Sequence, residues 1–151
     1  MRGVIQRVKK ASVMVDGENR GEIGVGMLLF LGITHSDGEA DIDYIVDKVL
    51  NCRIFSDQFD KMNLSLIDNH YEVLVISQFT LYGDARKGRR PSFTESAKPD
   101  NALIVYNLFL EKLKMTYNSD LIKSGVFQAD MKVDLINDGP VTILLDSGRA
   151  F

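Results

Sequence analysis

The sequence predicts an α/β layered domain built on mixed β-sheet. Three observations predict it. Apolar residues alternate with polar ones along Val4 to Val15, the pattern of half-buried strands. The period then changes to helical spacing at Ile42, Ile45, Val46, Val49 and Leu50, and again beyond Pro99. Strand-like runs lie before, between and after these helices. The order strands, helix, strand, helix, strands suggests helices packed on a mixed sheet built up by hairpins at both ends.

The elements follow in order. Val4 to Val15 reads as two short strands around Lys9-Lys10-Ala11. Asp16-Gly17-Glu18-Asn19 is a turn signal, so a hairpin continuing to Ile23 is expected. Met27 to Leu31 is a continuous apolar run flanked by glycines, which favours a strand buried on both faces. A helix is expected from about Gly38 to Asn51. Ser36 with Glu39 three residues on resembles a capping box, in which a hydroxyl and a carboxylate satisfy orphan N–H groups. Ser56 to Asn69 is polar and reads as a long loop. Tyr71 to Ile76 is the next strand.

Pro91 to Pro99 reads as loop entering a second helix, whose first turn tolerates Pro99 because an N–H there has no partner anyway. Ala102, Val105, Tyr106, Phe109 and Leu113 form its inner stripe. Leu103, Ile104 and Leu108 broaden that stripe, so cover on more than one side is expected. Three strands are expected near Leu121–Val126, Met131–Ile136 and Thr142–Asp146.

At 151 residues the chain has the length of one domain, and no Pro/Gly/Ser linker divides it, so residues 1–151 read as a single unit. With 45% hydrophobic residues it can bury a core without a disulfide, and its one cysteine, Cys52, permits none within the chain. The first residues lack a secretory h-region, and the longest apolar stretch, Val25 to Ile33, is too short for a membrane span. The expectation is a soluble cytoplasmic protein. Net charge is −3, yet Arg86, Lys87, Arg89 and Arg90 crowd into one segment. Such a loop can contact a few phosphates, and it can equally be a solvated turn.

Two segments hold the chemistry. At Ser77-Gln78-Phe79-Thr80-Leu81 a buried strand runs abruptly into polar groups. If the backbone stays extended, Gln78 and Thr80 share one face and Ser77 and Phe79 the other. A hydroxyl, an amide and an aromatic ring together suit a small polar ligand; a strand sliding into a turn at Gly83-Asp84 has the same pattern. A nucleophilic Ser77 or Thr80 needs a base in reach. Only His35 and His70 exist, and the context lacks the glycines of a nucleophile elbow. Two histidines and one cysteine also argue against a zinc site. Asn137-Asp138-Gly139-Pro140-Val141-Thr142 is a turn signal between apolar runs, readable as an ordinary hairpin loop. Gly139 can take positive φ and Pro140 has no N–H, which leaves carbonyls free to point out of a sheet ladder.

Together, Ser77 to Leu81 and Asn137 to Thr142 resemble the two signature segments of the D-aminoacyl-tRNA deacylase family. The opening Met1-Arg2-Gly3-Val4-Ile5-Gln6-Arg7-Val8 with Ala11-Ser12-Val13, and the loop Lys87-Gly88-Arg89-Arg90-Pro91-Ser92-Phe93, are similar to it as well. The resemblance spans nearly the whole chain. It implies a three-layer α/β/β fold with two main helices, and a homodimer with active sites at its interface. Ser77, Gln78, Phe79 and Thr80 would line the pocket for the aminoacylated 3′ end of tRNA. Gly139 and Pro140 would be the family's Gly-cisPro pair, inserted into the partner's site as a filter against L-residues. Arg7, Asn137 and Thr142 would support that pair, and Arg86, Lys87, Arg89 and Arg90 would meet tRNA phosphates. No metal and no cofactor are implied. Two other classes stay open: a conventional Ser/Thr esterase acting on small molecules, and a non-catalytic tRNA-binding module.

Overall fold

In the computed structural model, which describes residues 1–150, helices cover one face of a sheet and a second β-layer covers the other. Strand β1 (Arg2–Val15) is one long strand rather than two short ones. The turn at Asp16 and Gly17, with φ of 51° and 80°, sends the chain back as β2 (Glu18–Ile23). Strand β3 (Gly26–Gly32) then pairs antiparallel with the first half of β1, while β2 pairs with its second half. Helix α1 (Glu39–Asn51) follows. Its cap differs from the expected Ser36/Glu39 box: the Gly38 N–H donates to the Asp41 carboxylate at 2.9 Å, one turn further in.

The polar stretch expected as loop is structured. It holds β4 (Phe55–Ser56), β5 (Met62–Leu64) and the single-turn helix α2 (Leu66–Asn69), capped by the Ser65 hydroxyl, which accepts from the Asp68 N–H. Periodicity does not reveal such short pieces, because their stability comes from turn and cap bonds. Strand β6 (Glu72–Ser77) runs parallel to β3, helix α3 (Pro99–Thr116) starts on Pro99 as expected, and β7 (Ile122–Ser124) runs parallel to β6. The chain continues in β8 (Lys132–Asp146), one strand where two were expected, antiparallel to β1 along almost its whole length.

The strand faces explain the layers. Met27, Leu29, Leu31, Val73 and Val75 point at α1 and α3, where Ile45, Val49, Tyr106 and Phe109 meet them. Leu28, Leu74 and Ile76 point the other way, against Val8, Ala11, Val13 and Ile23. Burial on both faces is why β3 and β6 read as unbroken apolar runs. Strand β1 serves both layers: Ile5 packs toward the helices and Val8 toward the β-layer, and its register with β8 slips between Gln6 and Lys10. Such a slip bends a strand and re-aims its side chains.

The Tyr106 hydroxyl donates to the Val75 carbonyl at 3.2 Å, which fixes α3 against β6. Leu103, Ile104 and Leu108 are exposed in the single chain, so the expected cover beyond the inner stripe is not supplied by this chain's own residues. Among the described residues no helix is long and apolar enough to cross a membrane.

Candidate active site

Strand β6 ends at Ser77, and the backbone does not stay extended. The Gln78 N–H donates to the Leu31 carbonyl at 2.8 Å, the last rung with β3, and residues Phe79–Tyr82 wind into a 3₁₀ turn. The expected alternation of faces therefore stops at Ser77. The turn is closed by Leu81 N–H to Gln78 carbonyl (3.2 Å) and Gly83 N–H to Thr80 carbonyl (2.9 Å). The N–H groups of Phe79 and Thr80, at its first two positions, have no partner within a turn of this kind. The turn lies flush on β3 because residue 32 is glycine: a Cβ there would sit 3.0 Å from the Gln78 carbonyl oxygen and from Leu81 Cβ.

Ser77, Gln78 and Phe79 border a cleft of about 630 Å³. Its other walls are the start of α3, at Lys98, Pro99 and Ala102, and the segment Phe127 to Met131. Phe79 is 58% exposed and meets Phe93 edge-to-face, with ring centroids 5.1 Å apart. Thr80 is exposed beside them, and the Gln78 amide nitrogen donates to its hydroxyl at 2.5 Å. Neither histidine lines the cleft. The His35 ring bonds the Thr94 carbonyl at 2.9 Å, and His70 caps α2 in a left-handed conformation. Thr80 thus faces an amide, which in either orientation is no base.

The second segment is not a hairpin loop. On β8, Asn137 pairs with Val8 and Thr142 with Gln6, so residues 138–141 stand opposite Arg7 alone. They form an insertion pushed out of a continuing ladder. The Gly139-Pro140 peptide bond is cis, and Gly139 has φ of 130°. A local turn signal cannot distinguish this from a hairpin, since both need a residue with φ > 0 and an unpaired backbone.

Several polar side chains hold the insertion. Arg7 donates through Nε to the Asp138 carbonyl (2.9 Å) and through Nη1 to the Ile54 carbonyl (2.7 Å). The Asp138 carboxylate lies 3.5 Å from both Arg7 Nε and Lys9 Nζ. The Asn137 side-chain oxygen accepts from the Val141 N–H (2.9 Å), and its amide donates to the Thr142 hydroxyl (3.2 Å). Arg7, Asn137 and Thr142 thus make hydrogen bonds on either side of Gly139 and Pro140. Gln6, whose amide also donates to the Thr142 hydroxyl at 3.2 Å, completes the set and went unnoticed in the sequence.

The two segments do not meet within one chain. Arg7 is level with Met27 and Val73, whereas Ser77 is level with Leu31 and Gly3. That is four residues along the strands, about 13 Å, with β1 and β3 between β8 and β6, about 14 Å across. None of residues 137–142 lines the cleft.

Arg86, Lys87, Arg89 and Arg90 lie on an exposed loop, closed by mutual backbone bonds between Asp84 and Ser92 and turning at Gly88 with φ of 80°. Arg86 is bound at home: its Nε and Nη2 donate to the two Asp84 oxygens at 2.9 and 2.7 Å. Those bonds, with the Arg86 backbone N–H, hold the Asp84 carboxyl down at about 2. The loop leads into Phe93, which borders the cleft. The far wall at Phe127 to Met131, together with Lys98, was not singled out in the sequence, where Lys98 fell in an expected loop and Met131 at the start of an expected strand.

The cleft bordered by Ser77, Gln78 and Phe79 and the braced main-chain insertion at residues 138–141 are thus two separate features of the same sheet. The match to the D-Tyr-tRNA(Tyr) deacylase family model spans residues 4–146, and the chain belongs to that family. It is 56% identical over 151 residues to the D-aminoacyl-tRNA deacylase of Halothermothrix orenii and 53% identical to that of Clostridioides difficile, covering 100% of each chain. Among solved structures it resembles the c-Myc DNA Unwinding Element Binding Protein, with TM-score 0.93, 44% identity and coverage of 97% of this chain and 98% of the other. A probable eukaryotic D-amino acid tRNA deacylase shares the fold at TM-score 0.82 and 17% identity, covering 95% and 97% of the two chains.

Proposed function

We propose that the chain hydrolyses the ester of D-aminoacyl-tRNA, releasing the D-amino acid and free tRNA, in the cytoplasm where charged tRNA is used. Family membership across residues 4–146 carries the reading. The geometry supports a mechanism. The terminal adenosine enters the cleft past the Phe79–Phe93 pair, which offers an aromatic face for a base. The ester carbonyl rests against the N–H groups of Phe79 and Thr80. Water attacks the carbonyl carbon, the oxyanion is held by those donors, and the bond to the ribose oxygen breaks. With no side-chain base at Thr80, activation of water falls to the substrate's own 2′-hydroxyl. Thr80 as nucleophile and Gln78 as oxyanion donor are the lesser readings.

Selection follows from the second segment. The separation of Gly139 and Pro140 from the cleft of their own chain favours a homodimer in which each insertion enters the partner's site. Carbonyls fixed at Cα collide with an L side chain, whereas a D side chain points away toward solvent. Glycine, with no side chain, passes the filter, so mischarged glycyl-tRNA is a substrate too. Lys87, Arg89 and Arg90 contact tRNA phosphates.

The test is to follow ester loss from matched D- and L-aminoacyl-tRNA. Loss of the D-ester alone supports the reading, and equal rates for both enantiomers overturn it. Binding of tRNA without turnover marks a binding module. Covalent labelling at Ser77 or Thr80, with no need for tRNA, marks a small-molecule esterase.

A further inference from the structure

We infer that Arg2 and Asp146 form a positioning pair that sets the orientation of the 3₁₀ turn carrying the oxyanion donors; this rests on the function proposed above. The turn is short: its two closing bonds involve Gln78 and Gly83, and the Gln78 rung to Leu31 and the buried Tyr82 ring tie its two ends to the fold. Gly32 lets it settle against β3 from below. A rotation of the turn about its own axis would swing the Phe79 and Thr80 N–H groups away from the ester.

Arg2 blocks that rotation. Its Nη1 donates to the Leu81 carbonyl at 3.0 Å, one residue beyond Thr80. Its guanidinium lies 4.6 Å from the ring centroid of Tyr82, the last residue of the turn. Its Nε donates to Asp146 Oδ2 at 3.1 Å, and Asp146 is only 7% exposed at the end of β8. The other Asp146 oxygen is taken by the Gly148 N–H at 2.7 Å, so the carboxylate is itself fixed. One planar fork thus ties the donor turn to the last residue of β8, the strand that carries the Gly139-Pro140 insertion. The platform of a site and the filter it lends to its partner are thereby referenced to one rigid strand. Lysine cannot replace the fork, since a single ammonium does not span a carboxylate and a carbonyl while stacking on a ring.

The experiment compares kcat and KM for a D-aminoacyl-tRNA in the wild type, Arg2→Lys and Arg2→Ala, with thermal midpoints measured alongside. Arg2→Lys keeps the charge and the fold. Its kcat is expected to fall roughly 10- to 100-fold, the scale of a misplacement near 1 Å, with KM and midpoint nearly unchanged. Guanidinium ion is expected to restore part of the kcat of Arg2→Ala without raising its thermal midpoint, whereas a merely structural role would restore the two together. An unchanged kcat in Arg2→Lys overturns the pair's role, and so does a loss confined to KM or one that tracks the midpoint. A wild type that leaves the D-ester intact overturns the proposed function instead.

Discussion

Replacing Arg7 by Ala tests the brace on the filter, and its size can be worked from the bonds it makes. The change removes two charge-assisted bonds, at 2.9 Å to the Asp138 carbonyl and 2.7 Å to the Ile54 carbonyl. Such bonds contribute about 1.5–3 kcal/mol each, and an orphaned buried acceptor costs about 1–3 kcal/mol. The two losses are unequal. Ile54 is 3% exposed, so water does not readily replace the guanidinium there, whereas the Asp138 side chain is 30% exposed and that end can rehydrate. The net destabilisation is about 2–4 kcal/mol, a fall in thermal midpoint of roughly 5–15 °C for a chain of this size. The functional effect is more diagnostic. On the proposed filter, release of Asp138 is expected to free the carbonyls of Gly139 and Pro140 and to let L-aminoacyl-tRNA be hydrolysed. The assay is the ratio of D- to L-ester hydrolysis at a temperature where circular dichroism shows the variant folded. A destabilised variant whose ratio equals that of the wild type refutes the brace.

Three further outcomes are expected. Thr80→Ala and Ser77→Ala should each lose less than about a thousandfold in single-turnover rate, short of the roughly 10⁴-fold that disabling one triad member costs; a larger loss with tRNA binding intact would show a side-chain nucleophile. Neutralising Lys87, Arg89 and Arg90 together should weaken tRNA binding and reduce the salt slope by about 0.7–0.9 for each phosphate left without its cation, whereas Arg86→Gln alone should do less, because Arg86 is already engaged by Asp84; an unchanged slope in the triple variant removes the loop from the interface. The Asp84 carboxyl is held at about 2 by Arg86, so the pair should persist from neutral pH through the ordinary carboxylate range and be lost only as pH falls through about 2. Carboxyl chemical shifts across that range check this, and a midpoint near 4 would show the pair open in solution.

The layers were legible because burial leaves a period. Strands β3 and β6 are covered on both faces, and their unbroken apolar runs say so. Helix α3 announced its inner stripe and its start on Pro99. Other features left no period. The bend in β1 depends on its pairing with β8 and looked like a break between two strands. Asn137 to Thr142 looked like a hairpin because an insertion within a strand uses the same residues as a turn. The residues expected to face each other at Ser77 to Thr80 followed strand alternation, which the 3₁₀ turn ended. Arg2 stood in the opening segment that resembles the family, but its contacts left no signal, since its partners Leu81 and Asp146 lie far along the chain and only the fold brings them together. The exposure of Leu103, Ile104 and Leu108 shows the opposite limit: an apolar helix face reads the same whether this chain or another covers it.

The central claim is that selection acts at Cα through the main chain around Gly139 and Pro140, not through a pocket shaped to one side chain. The most direct measurement is the ratio of D- to L-ester hydrolysis on matched tRNA for a small and a large residue, alanine and tyrosine, with glycine as the achiral reference. The ratio should stay high for both residues, and the glycyl ester should be hydrolysed. A ratio near one for either residue, or an inert glycyl ester, would contradict the account.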